Sequence, residues 1–156
     1  MLVPLFLFEK ELLSSPMFYL SGYFETHREV YYARLQAISQ DGDWNGWIQF
    51  FLTAVLEQAR TNTDKARSIF NLYERMKREI PEITRSQYAT QAIDALFDRP
   101  IFRSTDFIER STIPKATAKR ILTVLREKEI IQISGESSGS RATVFNFPEL
   151  MVITEG

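Results

Sequence analysis

The sequence predicts a mostly α-helical fold whose C-terminal part adds a small two-stranded antiparallel sheet. Apolar residues recur at helical spacing along residues 1–83. In residues 86–150, helical segments are followed by two short apolar runs that flank a Gly/Ser-rich tip. The composition shifts towards polar residues at 84–90, so we predict a helical domain at 1–83 and a second domain at 86–150.

The composition rules out several kinds of site. The 156 residues include no Cys and one His, which excludes disulfides, thiol nucleophiles and metal sites built from thiolates or clustered imidazoles. The formal net charge is −1, so the field of the whole chain attracts neither DNA nor an anionic membrane. The apolar start of the chain lacks a basic segment and is too short to span a bilayer, so we expect a cytoplasmic protein without a membrane partner.

Four helical segments are predicted in the first domain. Pro16 suits the first turn of the second segment, and the third covers about 25–39. Asp43 follows a turn at Gly42 and is predicted to cap the fourth segment. The residues predicted to face inward from the first three segments are Leu5, Phe8, Leu12, Leu13, Tyr19, Leu20, Tyr23, Phe24, Tyr31, Leu35 and Ile38.

The fourth segment has the strongest helical periodicity in the chain. Its apolar residues fall at i, i+3, i+4, i+7, i+8 and i+11, which predicts a buried helix face. The polar run 61–64 predicts a kink or a break, and Pro81 is predicted to end the run. The residues of this predicted face are Ile48, Phe51, Leu52, Val55, Leu56 and Ala59, continued in phase by Ala66, Ile69, Phe70, Tyr73 and Met76.

The second domain is predicted to contain three helices and a hairpin. The first helix covers about 86–97, Ser104 or Thr105 caps the second, and Pro114 opens the third. Strands near 130–133 and 141–147 flank the tip. This order of elements is typical of a winged helix-turn-helix, whose third helix lies in the major groove of DNA. The residues predicted to face inward are Ala89, Ile93, Leu96, Phe97, Phe107, Ile108, Ala118, Ile121, Leu122 and Leu125.

The outward face of the third helix predicts contact with double-stranded DNA. Lys and Arg suit guanine edges and phosphates, and Thr and Ala suit a thymine methyl group. From residue 86 onward acidic and basic residues balance, but 110–128 holds six basic residues and one acidic residue. Docking on another protein and a plain structural role remain alternatives. The predicted DNA-contacting residues are Lys115, Ala116, Lys119, Arg120 and Thr123 in the helix and Ser138 and Arg141 in the hairpin.

The order of residues in the first third of the chain resembles the segment that follows the catalytic motif in the Fic family. Members of this family transfer AMP from ATP to hydroxyl groups of target proteins, and a C-terminal winged helix is common among them. The resemblance is specific for about 2–52 and looser beyond. The matching residues are LVPLFL at 2–7, LLS at 12–14, MFYLS at 17–21, YFE at 23–25, Arg28, Tyr31, Tyr32, Leu35, GDW at 42–44, Trp47, Phe50 and Phe51.

The catalytic motif of that family, His-Pro-Phe-x-x-Gly-Asn-Gly-Arg, is missing from this chain. The single His, His27, is followed by Arg28 and Glu29, and no Gly-x-Gly occurs. The resemblance implies that ATP and Mg²⁺ belong to the full-length protein, that the motif would precede residue 1, and that this chain is a non-catalytic C-terminal portion. We therefore predict no catalytic residue and no cofactor in this chain, and we interpret His27 as a surface or interface residue.

The resemblance also implies a nucleotide-contacting Tyr. Some family members use a Tyr near Tyr31 and Tyr32 to contact adenine, so Tyr32, and after it Tyr31, is a candidate. The alternative, which the residues favour, is packing of a helix aromatic against Trp44 or Trp47.

Three functional hypotheses follow from the sequence. The leading one is a regulatory DNA-binding module, the second is an interaction module that controls the Fic active site, and the third is a fragment of a complete adenylyltransferase. Uncovered apolar faces at 2–13 also predict either a homodimer or association with a missing N-terminal Fic half.

Overall fold

The computed structural model describes residues 6, 8–11, 20–135 and 142–155. This part of the chain is mostly helical and includes a small three-stranded antiparallel sheet. In chain order, the elements beyond residue 20 are α1 (Ser21–Thr26), α2 (Arg28–Asp41), α3 (Trp44–Thr84), α4 (Ala89–Asp98), β1 (Ile101–Arg103), α5 (Ser104–Ser111), α6 (Lys115–Glu127), β2 (Gln132–Gly135), β3 (Val144–Asn146) and α7 (Pro148–Glu155).

The chain divides into two compact units, and the boundary between them lies inside α3. The first unit is Met1–Asp64 and the second is Lys65–Gly156. The sequence placed a domain boundary near 84–90, which lies inside the second unit. The C-terminal part of α3 belongs to that unit because Leu72 and Met76 are part of its hydrophobic core.

Aromatic and aliphatic packing around α1 forms the core of the first unit. Leu20 and Ala54 are fully buried, and the Phe24 and Phe50 rings stack with centroids 5.9 Å apart. The residues Tyr31, Leu35 and Ile38, which the sequence predicts to face inward from α2, are all half-buried. The predicted segment around 5–13 lies mostly outside the described residues. Tyr23, Phe24, Phe51 and Val55 complete this core.

The corner between α2 and α3 confirms the predicted turn and cap. Gly42 ends α2 with φ of +68°, a left-handed conformation that glycine adopts without strain. The Asp43 carboxylate then accepts a hydrogen bond from the Gly46 backbone N–H at 2.9 Å. This bond satisfies one of the free N–H groups at the start of α3.

Helix α3 runs without a break through both predicted weak points. Residues 61–64 are helical, so the alternative of a break there is wrong. The Thr61 and Thr63 hydroxyls donate to the carbonyls of Glu57 and Ala59, so their side chains bond within the helix. Pro81 lies inside α3 and does not end it. It occupies an exposed position in the last turn, where its ring displaces no core contact.

The N-terminal half of α3 leaves a row of large apolar side chains in solvent. We call Trp44, Ile48, Leu52 and Leu56 the apolar row; they are spaced four residues apart and are 61%, 49%, 59% and 50% exposed. The prediction that Ile48, Leu52, Leu56 and Ala59 face a core is therefore wrong, and so is its continuation at Ala66 and Phe70, which are also exposed. The first unit packs against a neighbouring arc of the helix, centred on Phe50 and Ala54, and leaves the rest of the apolar arc uncovered.

The core of the second unit confirms the predicted inward faces of α4 and α6. Ala89, Ile93 and Leu96 of α4 are buried, and Phe97 packs against the core. The predicted cap of α5 is wrong by one position, because Arg103 is the N-cap residue and no side chain caps the helix. The buried residues of this core are Leu72, Met76, Ile80, Ala89, Ala92, Ile93, Ala95, Leu96, Phe102, Phe107, Ile113, Ala118, Ile121, Leu122, Leu125, Ile131, Phe145, Phe147 and Leu150.

The sheet has three strands in the order β1-β3-β2, so the predicted number of two is wrong. Phe102 of β1 pairs with Phe145 of β3, and Ile133 of β2 pairs with the other side of Phe145. The sequence missed β1 because it has only three residues and buries only Phe102. The central strand β3 joins the other two, which places Phe102 and Phe145 in the core.

Polar contacts fasten α3 to α4 and α7 within the second unit. The Tyr73 hydroxyl donates to Asp94 Oδ1 at 2.8 Å, and this bond raises the pKa of the Tyr73 phenol above its usual value. Arg75 forms an ion pair with Glu149 at the start of α7. The sequence did not predict α7, which buries Leu150 against the core.

Substitution of Phe107 tests how far the second unit depends on its core. Phe107 is fully buried in α5, so Phe107→Ala should lower the free energy of unfolding by about 3–5 kcal/mol through lost burial and a cavity. Urea unfolding followed by far-UV circular dichroism measures this change. The control is Phe70→Ala on α3, whose ring is 62% exposed and whose loss should cost less than about 0.5 kcal/mol. Equal losses in the two variants would contradict the assigned core.

Candidate nucleic-acid interface

A short, rigid turn presents α6 after α5. Thr112 ends α5 in the left-handed region with φ of +56°, and the next side chain, Ile113, is buried in the core. Pro114 is the N-cap residue of α6 with an extended ψ of 132°, so the helix begins at Lys115, one position later than predicted. Ile113 therefore anchors the start of α6 to the core.

Helix α6 has one buried face and one wide exposed face. Its buried residues are the four predicted from the sequence, Ala118, Ile121, Leu122 and Leu125. All five predicted DNA-contacting residues of the helix are exposed, and they lie together on the outward face: Lys115, Ala116, Lys119, Arg120 and Thr123.

Among the described residues, the cations on the outward face of α6 have no ion-pair partner. Lys115 and Lys119 have no ion-pair partner within the part of the chain that the structure describes. Elsewhere, Lys77 pairs with Glu74 and Arg110 with Asp98. A nearly neutral chain thus presents a locally positive surface along α6.

The small residues of this face offer apolar contact surface. The Thr123 hydroxyl donates to the Lys119 carbonyl oxygen at 3.0 Å. This bond uses the single proton of the Thr123 hydroxyl, which leaves its oxygen as an acceptor and its γ-methyl group for apolar contact. The exposed Ala116 methyl adds to it. Such methyl groups suit the C5-methyl of thymine.

Arg120 has a structural contact that the sequence did not predict. Its Nη1 atom donates to the backbone carbonyl oxygen of Thr84 at 2.9 Å. Thr84 is the last residue of α3 and is buried. A helix leaves its last four carbonyl groups without backbone partners, and a guanidinium group can donate to one of them. Its positive charge is also stabilised by the negative end of the helix dipole. Arg120 therefore ties α6 to the end of α3 and is less free than Lys119 to reach a ligand.

Arg126 belongs to the same face and was missed by sequence reasoning. It is exposed on α6 and follows Lys119 by seven residues, two turns further along the helix. Lys115, Lys119 and Arg126 therefore share one side of the exposed face, while Arg120 lies at its other edge. The spacing of seven residues is the signal that would have identified Arg126.

The remaining predicted contact residues lie outside the described part of the chain. Ser138 and Arg141 fall within 136–141, between β2 and β3. The two strands that flank this segment are paired, with Gln132 opposite Asn146 and a register irregularity between Ile133 and Gly135.

The two candidate nucleotide-binding tyrosines have different surroundings. Tyr31 is half-buried, and its ring meets the Trp47 ring edge to face with centroids 5.6 Å apart. Tyr32 is exposed, and the Arg28 guanidinium lies over its ring at 5.6 Å from the centroid. Tyr31 thus has the packing that the sequence favoured, and nucleotide binding by Tyr32 stays a prediction.

Other chemistry has little support in the described residues. No three His, Asp or Glu side chains among them lie close enough together to hold a metal ion. His27 is exposed, and its ring stacks on Tyr23 with centroids 4.0 Å apart. Within the same residues, no helix combines the length and the apolar character needed to cross a bilayer. No protein-family model matches the chain.

Single substitutions of Arg120 and Lys119 separate anchoring from ligand contact. Arg120→Ala should lower the free energy of unfolding by about 1–2 kcal/mol, because it leaves the Thr84 carbonyl without its charged donor. Lys119→Ala removes an exposed, unpaired side chain one position away, so it should change the free energy of unfolding by less than about 0.5 kcal/mol. Urea unfolding curves of both variants check this difference. A destabilisation by Lys119→Ala as large as that by Arg120→Ala would contradict the assigned contact.

Proposed function

We propose that this chain is the non-catalytic C-terminal region of a Fic-family protein and that its second unit is a winged helix-turn-helix module that binds double-stranded DNA. The observation that carries the DNA-binding proposal is the set of unpaired cations on the exposed face of α6. An exposed cation without a counter-ion is available to a phosphate without first breaking an ion pair.

The arrangement of elements supports the winged helix part of this proposal. Helices α4, α5 and α6 are followed by β2 and β3, and β1 lies between α4 and α5. The strand order β1-β3-β2 is the one expected when a hairpin after the third helix pairs with a short strand before the second. In such modules the third helix enters the major groove and the tip of the hairpin reaches the backbone.

The chemistry of α6 fits a duplex better than a protein groove. Lys115 lies in the first helical turn, where backbone N–H groups have no helical partner and favour an anion such as phosphate. Lys119 lies one turn further along the same side, at the position from which it reaches phosphates or guanine edges. Because only three cations supply most of the positive charge on this face of α6, the affinity for DNA should be modest. It should also fall steeply as the salt concentration rises.

The Fic-family part of the proposal rests on the resemblance at 2–52. Its functional meaning is that this chain would act as a scaffold and regulator beside a catalytic segment that it does not contain. ATP and Mg²⁺ would then act in the full-length protein. An alternative from another class is an interaction module, and the exposed apolar row is the observation that favours it.

DNA binding is tested by titrating the chain with fluorescent duplexes at several salt concentrations. The logarithm of the affinity should fall with the logarithm of salt concentration with a slope of about −3. Lys119→Ala should weaken binding at least about fivefold and reduce that slope by about 1. The control is Lys77→Ala, which removes the same charge from α3, where Lys77 pairs with Glu74. The DNA-binding proposal fails if Lys119→Ala binds DNA as tightly as the wild type does. It also fails if Lys77→Ala weakens binding as much as Lys119→Ala does.

Absence of AMP transfer is the second expected outcome. Incubation with labelled ATP and Mg²⁺ should give no transfer to the chain or to a cognate target, because the chain has no base of the His-Pro-Phe type and no glycine-rich phosphate loop. An intact Fic enzyme assayed in parallel shows that transfer is detectable. Labelled protein in the reaction with this chain would refute the non-catalytic assignment.

A further inference from the structure

Part of the apolar helix face that has the strongest periodicity in the sequence is exposed to solvent in the structure. The apolar row on α3 consists of four large side chains that are about half exposed or more. Helices with such a pattern normally bury it, because leaving apolar surface in water costs free energy. Exposed apolar patches of this kind mark interaction sites.

The size of the apolar row matches the apolar centre of a stable interface. A Trp side chain buries roughly 150–250 Å² and an Ile or Leu side chain buries less, so the four side chains, about half exposed, offer on the order of 300 Å². A standard interface covers about 800 Å² per partner, of which roughly 60% is apolar. The row therefore supplies more than half of the apolar area of one such interface.

Charge and spacing indicate that the occupant is a second copy of this chain. Residues 44–59 contain one charged residue, Glu57, so two copies of this surface do not repel each other, and a charged ligand has little to bind. Side chains spaced four residues apart form a ridge that packs into the equivalent groove of another helix, which is the commonest mode of helix packing. A two-fold axis brings the same ridge from both copies together.

The residues before α1 are a weaker candidate for the occupant. Phe6 and Phe8, the two described apolar residues of that segment, are themselves exposed. Neither belongs to the hydrophobic cluster of the first unit.

We propose that two copies of this chain associate through the apolar row of α3 around a two-fold axis. The proposal does not rest on DNA binding, because the row and the cations of α6 share no residue. It names the partner and the surface that the sequence-based expectation of a homodimer left open.

Sedimentation equilibrium of the full chain tests this dimer. The wild type should be a reversible dimer at micromolar concentration. Leu52→Asp should raise the dimer dissociation constant at least about tenfold. The reason is that each of the two copies then brings one negative charge into the interface. The matched control is Val152→Asp on α7, an aliphatic residue that is 72% exposed outside the row, and it should leave the dissociation constant unchanged. A monomeric wild type, or equal effects of the two variants, would overturn the proposal.

Cross-linking gives a second readout that does not depend on tolerance of a buried charge. The chain has no Cys, so Leu52→Cys introduces a single thiol. A short bismaleimide should join two Leu52→Cys chains into a covalent dimer and leave Val152→Cys chains monomeric. Failure of both variants to cross-link overturns the proposal. A monomer whose Leu52→Cys thiol resists modification overturns it too, since the row is then covered by the chain's own residues 1–19.

Discussion

The end of α3 is the constraint on which the second unit depends. Leu72, Met76 and Ile80 supply one wall of its core, and the last carbonyl of the helix accepts the guanidinium of Arg120 from α6. The same stretch of α3 therefore holds α6 both by apolar packing and by a directional, charge-assisted hydrogen bond. The buried residues Ala118, Ile121, Leu122 and Leu125 set which side of α6 faces inward, and the bond at 2.9 Å adds a directional contact to the end of α3.

Neighbouring cations on one helix thus do different work. Arg120 and Lys119 are adjacent in sequence and would be grouped by any count of basic residues, yet only Lys119 is without a partner among the described residues. Arginine suits the anchoring role because its planar guanidinium is always charged and presents several donors. Lysine, with its flexible and strongly hydrated ammonium, suits adjustable contact with phosphate. The distinction also explains why substituting both residues together would confuse loss of fold with loss of binding.

Sequence reasoning succeeded where local rules and burial agree. Asp43 caps α3 because a short carboxylate beside a turn satisfies free N–H groups whatever surrounds it. The buried residues of α6 follow directly from helical period. Sequence reasoning failed where burial depends on residues elsewhere in the chain. Periodicity shows that Ile48 and Leu52 share a face of α3, but it does not show whether anything covers that face. Likewise β1 exists only because β3 pairs with it, and three residues carry no pattern of their own.

The two surfaces that the fold leaves available complement each other energetically. In the proposed complex, three unpaired cations on one α6 would release few counter-ions, so a single module would gain little free energy from a duplex. Two modules held together bind the second half of a site as an intramolecular event, at an effective concentration set by their geometry. A two-fold dimer also requires a site with matching symmetry, because equivalent helices then meet equivalent half-sites. The proposed dimer would therefore raise the affinity of the proposed contact between α6 and DNA, while the whole chain stays close to neutral.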